Sequence, residues 1–446
     1  MFSIFIHICS SYLFSYPFIH KKTIFTNPKD KNIQNINGFY GLIGPNINHT
    51  NIKSLYDLFI GDGIIQGVFI QNGNITFIKE FVKTDKLNME KYIKIPDNMF
   101  FTFLKMILYE MKLLPNMLGV ANTAFLNINK QTYTLFERDL PYEIKIDFDN
   151  KMVKTLQKIN IPFLHTFSGH SKSIERGCIH GIETIDNDFF FKKINWFFLT
   201  DTFDLLKKIT VPMKYLPIVH DFYSTENHFI IIDSPLKFDF YNIFKKQIPI
   251  FFDKYAKTYI YIIDKNTGEI DTYETDESFY LFHYSICEIT DNSIIIRGSI
   301  YDSIDYNNIY HKGNYRKIII NRKTRKVNIE KNANLENANL DFPIKIEEKG
   351  SSNKIILRNI ENNIVNGFVI VNDLQILKKI VFENIFICGE PAVTYVKETP
   401  YLLFYAFSTN KQYFIIMNLK TYELTKYDIF DKILVGFHST FIQNDL

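Results

Sequence analysis

Eleven histidines occur in the chain, and four sit where chemistry could be done. His170 ends the run Phe167-Ser168-Gly169-His170. His220 opens His220-Asp221-Phe222, His283 follows Leu281-Phe282, and His438 follows Gly436-Phe437. Each is expected at a strand end or turn. A neutral imidazole offers a lone pair to iron, zinc or copper, although an isolated histidine is usually a satisfied core or surface residue. The four are separated by 50, 63 and 155 residues (170 to 220, 220 to 283, 283 to 438). Residues so scattered meet most easily in a radial fold, where inner strands of different blades point their ends at one axis. An imidazole set without thiolate, with positions left open to dioxygen, fits ferrous iron.

Other chemistries lack their residues. There is no GxSxG, no Walker A loop and no HExxH, and Gly61-Asp62-Gly63 is too short for a dinucleotide fingerprint. Cys9, Cys178, Cys287 and Cys388 are far apart and form no CxxC, which argues against a disulfide scaffold and for a reducing compartment. Cys178 and His180 could share a strand face, but no orienting third group or oxyanion donor makes them a dyad. His165 and His180 read as surface residues. A formal net charge of +3 gives no field for nucleic acid.

The elements that must position the histidines are strands. Short β-branched and aromatic runs recur at 64-70, 75-82, 123-128, 132-137, 228-233, 258-264, 293-300, 316-321, 366-371, 401-407 and 412-418. Between them stand turn residues such as Gln71-Asn72-Gly73-Asn74 and Asn129-Lys130, the grammar of antiparallel hairpins. So many strands without alternating long helices predict an all-β protein, best fitted by a propeller of roughly six to eight blades. Residues 331-340 read as an exposed insertion, and the basic run 316-326 as a solvated turn. Residues 1-24 read as an apolar N-terminal arm or targeting segment, and 25-446 as a single domain. Pro96 to Leu118 opens with a helix entry and a Phe-rich helix. Lys105, Glu110 and Lys112 interrupt it, so it does not read as a membrane span. It reads either as a buried core helix or as one that dips into a single leaflet.

These residues resemble the carotenoid cleavage oxygenase family, which includes the retinal pigment epithelium isomerohydrolase. The matching blocks run nearly the whole chain in order: Asn37 to Asn46, Gly61 to Gly67, Ala121 to Ala124 with Glu137 and Pro141-Tyr142, and Phe167 to His170. His220 to Asn227 is the most specific, and Asp233 to Asp239 extends it. Phe282-His283 with Glu288, Asp341-Phe342-Pro343, Gly389-Glu390-Pro391 and Gly436 to Phe441 complete the series. The resemblance implies a seven-bladed β-propeller with a few short helices capping its top face. It implies Fe(2+) on His170, His220, His283 and His438, with Glu137, Asp341 and Glu390 bonded to three of those imidazoles. It implies a dioxygenase that cleaves a conjugated double bond of a carotenoid or apocarotenoid, using dioxygen and an apolar polyene. It also implies a cytoplasmic protein in peripheral membrane contact through about 96-118. A stilbene-cleaving member, a retinoid isomerohydrolase and a non-catalytic iron- or lipid-binding propeller are the alternatives. Three departures stand out: Asp341 where the family has Glu, Ser439 where it has Gly, and a stretch after His283 one residue short.

Overall fold

Asn72 and Gly73 both adopt positive φ (52° and 76°), as the mirror-image turn of a two-residue hairpin demands. Asn129-Lys130 and Asn362-Asn363 repeat the device. Asparagine tolerates this region better than other side chains, so part of the asparagine content has a structural use. The computed structural model describes residues 22–24, 30–47, 52, 54–93, 95–96, 99–174, 178–183, 192–245, 247–347 and 354–444.

The hairpins assemble into the seven antiparallel blades of a β-propeller, and Leu236–Phe238 pairs with Ile250–Phe252 in a separate two-stranded sheet. Blade 1 runs from Ala124–Ile128 to Met152–Lys158, blade 2 from Lys172–Ile174 to Leu205–Pro212, and blade 3 from Tyr223–Ser224 to Ile270–Glu274. Blade 4 runs from Tyr280–Ile289 to Val327–Glu330, blade 5 from Asn339–Ile346 to Gln375–Val381, and blade 6 from Phe386–Val396 to Leu424–Ile429. Blade 7 closes the ring: Ser439–Gln443 from the end of the chain pairs with Gly38–Pro45, followed by Gly63–Gln71, Asn74–Phe81 and Lys22–Ile24. The first strands of neighbouring blades touch one another around the axis, from blade 4 through 5, 6, 7 and 1 to 2.

The core lies between blades. Ile230 and Ile262 of blade 3 pack with Ile294, Ile296 and Ile318 of blade 4. Tyr40, Val68 and Phe77 of blade 7 pack with Tyr405, Phe414 and Tyr427 of blade 6. Middle strands are therefore covered on both faces and read as continuous apolar runs, and each such side chain contributes roughly 1.5–3 kcal/mol. The strands expected from sequence are present within a few residues of their limits. The short or interrupted ones escaped notice: Lys172–Ile174 and Tyr223–Ser224 have too few residues to show a period.

Two expectations need correction. Residues 331-340 are not a plain exposed insertion: Asn332 caps a helix, Ala333–Glu336, whose Leu335 is buried against Tyr315 and Leu340. Nor is all of 316-326 a solvated turn. Arg316 is 2% exposed and bonds Glu336 through two nitrogens (2.8 and 2.7 Å) as well as Asp302. Lys317 pairs with Asp373 and Glu330, so a charge run was absorbed by carboxylates from three separate segments.

Packing is tight where blade 2 meets the first histidine segment. A Cβ on Gly181 would lie 2.0 Å from the buried ring of Phe167. Gly181→Ala is expected to cost about 2 kcal/mol through overpacking, read as a lower urea midpoint at unchanged slope.

Candidate metal centre

The four histidines come from four blades. His170 precedes the first strand of blade 2, His220 precedes that of blade 3, His283 lies within that of blade 4, and His438 immediately precedes that of blade 7. They converge: one ring nitrogen from each lies within 4.8 Å of the other three. Ring centroids of His170 and His220 are 4.5 Å apart, those of His170 and His438 4.4 Å, and those of His283 and His438 5.0 Å. Nε2 of His170 and Nε2 of His220 approach to 3.0 Å.

The other three blades supply carboxylates, each to an outer ring nitrogen. His220 Nδ1 lies 3.0 Å from Glu137 of blade 1, His283 Nδ1 3.0 Å from Asp341 of blade 5, and His438 Nδ1 3.2 Å from Glu390 of blade 6. Every blade thus contributes one residue. Each carboxylate is pinned by a further donor: Thr123 Oγ1 on Glu137 (3.2 Å), Tyr301 Oη on Asp341 (2.5 Å) and the Ser439 N–H on Glu390 (3.1 Å). Burial opposes ionisation of all three, yet the imidazoles and these donors win. The pKa values of Glu137 and Glu390 are lowered, and that of Asp341 falls to about 2. An ionised carboxylate on Nδ1 keeps the proton there and leaves the Nε2 lone pair facing inward, the tautomer a metal needs.

Backbone irregularity aims these groups. The first strands of blades 4, 5 and 6 carry register shifts at Leu281/Tyr284, Asp341/Ile344 and Cys388/Ala392. A bulge turns one extra side chain out of the alternation, here toward the axis. Phe342 and Gly389 adopt positive φ at the second and third of them (58° and 69°). At Asp341 this local geometry meets His283 despite the shorter side chain. Gly169 leaves room for Glu137, because a Cβ there would come within 2.8 Å of its carboxylate.

Among the described residues, no carboxylate bonds His170. Burial, then His438 and His220, push its pKa down, so it is neutral and suited to donate. Burial lowers His438 likewise, with Glu390 opposing. Burial also disfavours the charged form of His283, but Asp341 outweighs it and raises the pKa. The donor set fits a metal on one further observation: His283 Nε2 is buried and has no hydrogen-bond partner. A sealed imidazole nitrogen costs free energy unless something accepts its lone pair.

Aromatic rings wall the centre. Phe342 lies 4.5 Å from His283 and 5.0 Å from His438, backed by the Arg358 guanidinium 3.4 Å from its centroid. Phe282 lies 5.3 Å from His220 and belongs to an apolar cluster with Tyr56, Phe59, Leu236, Ile248 and Tyr301. Sequence reasoning missed Thr123, Tyr301 and Arg358 in this setting. Thr123 had a signal in Asn122-Thr123, whose asparagine holds the carbonyls of Leu58 and Gly61. Tyr301 and Arg358 had none.

The remaining residues fall elsewhere. His165 is exposed, as expected. His180 is not on the surface but 1% exposed, with Nδ1 2.6 Å from Ser224 Oγ and its ring against Trp196 and Phe198. Glu288 pairs with Arg297 and takes no part in the centre. His7, His20, His49 and Cys9 lie outside the described residues, as do Asp97 and Asn98 of the expected helix entry.

Residues 34–443 match the sequence profile of the family described as retinal pigment epithelial membrane protein. The chain belongs to this family, that of the carotenoid cleavage oxygenases. Among curated relatives, a carotenoid 9,10(9',10')-cleavage dioxygenase 1 of Pisum sativum is 26% identical over 287 residues, covering 58% of this chain and 51% of the relative. The chain spans about half the length of the curated relatives it matches. Two solved structures share the fold. A lignostilbene dioxygenase of Pseudomonas brassicacearum aligns at TM-score 0.73 and 13% identity, covering 96% of this chain and 95% of that one. An apocarotenoid oxygenase of Synechocystis aligns at TM-score 0.74 and 15% identity, covering 96% and 97%. This member of the family therefore has the seven-bladed propeller expected from its sequence, with a four-histidine cluster able to hold one metal ion.

Proposed function

We propose that the chain is an iron(II)-dependent dioxygenase that cleaves a conjugated double bond of a carotenoid or apocarotenoid into two carbonyl products. The convergence of four imidazoles, three of them backed by carboxylates, carries the reading. His170, His220, His283 and His438 would hold the ion. Iron bound there supplies dioxygen activation. Four imidazoles would leave such an ion open to dioxygen or substrate.

The chain's own residues do the rest. Glu137, Asp341 and Glu390 hold protons on the Nδ1 atoms of His220, His283 and His438 and fix the ring planes. Phe282, Phe342 and the apolar cluster beside them exclude water and give a flat polyene a surface to pack on. Each oxygen atom of one dioxygen ends in one of the two carbonyls.

A polyene is drawn from lipid, and we assign the helix Met99–Glu110 and its flanks to peripheral contact with a membrane. Ile107, Met111 and Leu113 are more than half exposed there. Tyr56, in the apolar cluster, bonds Thr102 of the helix at 2.6 Å, so this surface adjoins the cluster beside the centre. Among the described residues, no helix is long and apolar enough to cross a membrane. A cytoplasmic location accompanies this reading.

Incubation with carotenoids and apocarotenoids under ¹⁸O-labelled dioxygen tests the proposal. Paired carbonyl products with label in both fragments are expected. An unoxidised isomer or a hydrolysed ester would indicate isomerohydrolase chemistry. Cleavage of phenolic stilbenes alone would indicate the stilbene class. A bound but unchanged polyene would indicate a carrier.

A further inference from the structure

One charged group beside the centre has no part in holding the histidines. Arg138 follows Glu137 directly, in the turn after the second strand of blade 1. Its backbone is held by Asn116, which donates to the Arg138 carbonyl at 2.6 Å. Its side chain points to the thioether of Met106, on the helix proposed to meet the membrane, at 3.9 Å. That soft sulfur is its sole hydrogen-bond partner among the described residues. Glu137, the neighbouring carboxylate, is already spent: Oε1 on His220 and Oε2 on Thr123. No other carboxylate of the described residues pairs with Arg138.

The guanidinium lies deep, since burial is the leading influence on it and lowers its pKa, with Tyr56 and then Glu137 opposing. Yet the residue keeps part of its surface accessible, and none of its nitrogens is among the sealed, unpartnered atoms. Its N–H groups are therefore not sealed in packed core and stay open to a ligand. Tyr56, the first of those partners, stands in the same apolar cluster as Phe282. Arg138 is thus a cation without an ion pair among the described residues, at the edge of an apolar site. A planar fork of donors in that position matches a carboxylate through two parallel hydrogen bonds.

We propose that Arg138 is a specificity-determining residue that binds an acidic end group, so that the preferred ligand is a polyene chain ending in a carboxylate. This rests on the polyene reading above and narrows its substrate class. A hydrocarbon end would leave the guanidinium without a partner, and a carboxylate would otherwise be desolvated at a cost. Arg138 would meet the acidic end of the ligand, while Phe282 and Phe342 would hold its unsaturated part.

The test is an anaerobic titration of the metal-loaded protein with a long-chain polyene carboxylic acid and with its methyl ester, followed by the polyene absorbance. Without dioxygen nothing turns over, so affinity is read alone. The wild type is expected to bind the acid about 10- to 100-fold more tightly than the ester, as a charge-assisted bidentate contact implies. Arg138→Met should erase that ratio, and Arg138→Lys should keep part of it. The wild-type preference should also fade as pH falls through the titration of the ligand's own carboxyl, with ester binding unmoved. Equal affinities of the wild type for acid and ester would overturn the proposal while leaving the polyene reading standing. A preference that survives Arg138→Met would also overturn it. Failure of both ligands to bind would overturn both readings together.

Discussion

His220→Ala is expected to empty the centre and to abolish polyene cleavage. His220 is one of four donors, and its Nε2 stands 3.0 Å from that of His170, so its loss opens one side of the cluster. It also strands Glu137, whose pKa is lowered chiefly by its hydrogen bond to His220, working against burial. Removing the donor of a charge-assisted hydrogen bond typically costs about 1–3 kcal/mol or more, because the carboxylate stays desolvated. Glu137 escapes part of that cost by taking up a proton. Iron affinity should fall by more than the roughly 10- to 100-fold typical of losing an outer hydrogen-bond partner of a ligand. Metal analysis of the purified variant beside product formation from a polyene checks both effects. Iron retained at wild-type stoichiometry would remove His220 from the ligand set.

Asp341 gives the second large effect, because family resemblance and local packing point in opposite directions. Glutamate is the family's residue, so Asp341→Glu looks like a restoration. The structure argues otherwise. Asp341 is 3% exposed, and both its oxygens are used, by His283 at 3.0 Å and Tyr301 at 2.5 Å. The bulge at Asp341/Ile344 and the positive φ of Phe342 already set the carboxylate at the imidazole. An added methylene has nowhere to go, and overpacking of that kind costs about 1–3 kcal/mol. Asp341→Glu is therefore expected to bind iron less well than the wild type. Asp341→Asn, which keeps the shape but not the charge, should weaken iron binding roughly 10- to 100-fold. Competition with a chelator measures both. Tighter binding by Asp341→Glu would show that the bulge relaxes to take the longer side chain.

The fold and the centre were legible to different depths. Long apolar strands with Asn-Gly or Asn-Lys turns were readable because both faces are covered between blades and the turns require positive φ. The blade count came only from the family resemblance, since Lys172–Ile174 and Tyr223–Ser224 are too short to carry a pattern. The ligand histidines stood out because three of them follow Phe or Gly directly and the fourth opens His220-Asp221-Phe222. The carboxylates needed the resemblance, because Glu137, Asp341 and Glu390 look like any other acids in sequence. Tyr301 was invisible because its contact with Asp341 arises only where blades 4 and 5 meet, and Arg358 because it reaches Phe342 from the neighbouring strand of blade 5. His180 misled for a related reason: its burial depends on Trp196 and Phe198 of the next strand. The basic run at 316-326 misled because the partners of Arg316 and Lys317 lie 13 to 56 residues away.

Metal content of the wild-type protein, purified without added chelator and reconstituted anaerobically with Fe(II), tests the central claim most directly. The account predicts one iron per chain, held through dialysis, with zinc and copper well below stoichiometry after reconstitution. Wild-type protein that stays iron-free under those conditions would contradict it, and the four histidines would then be a feature of the fold alone.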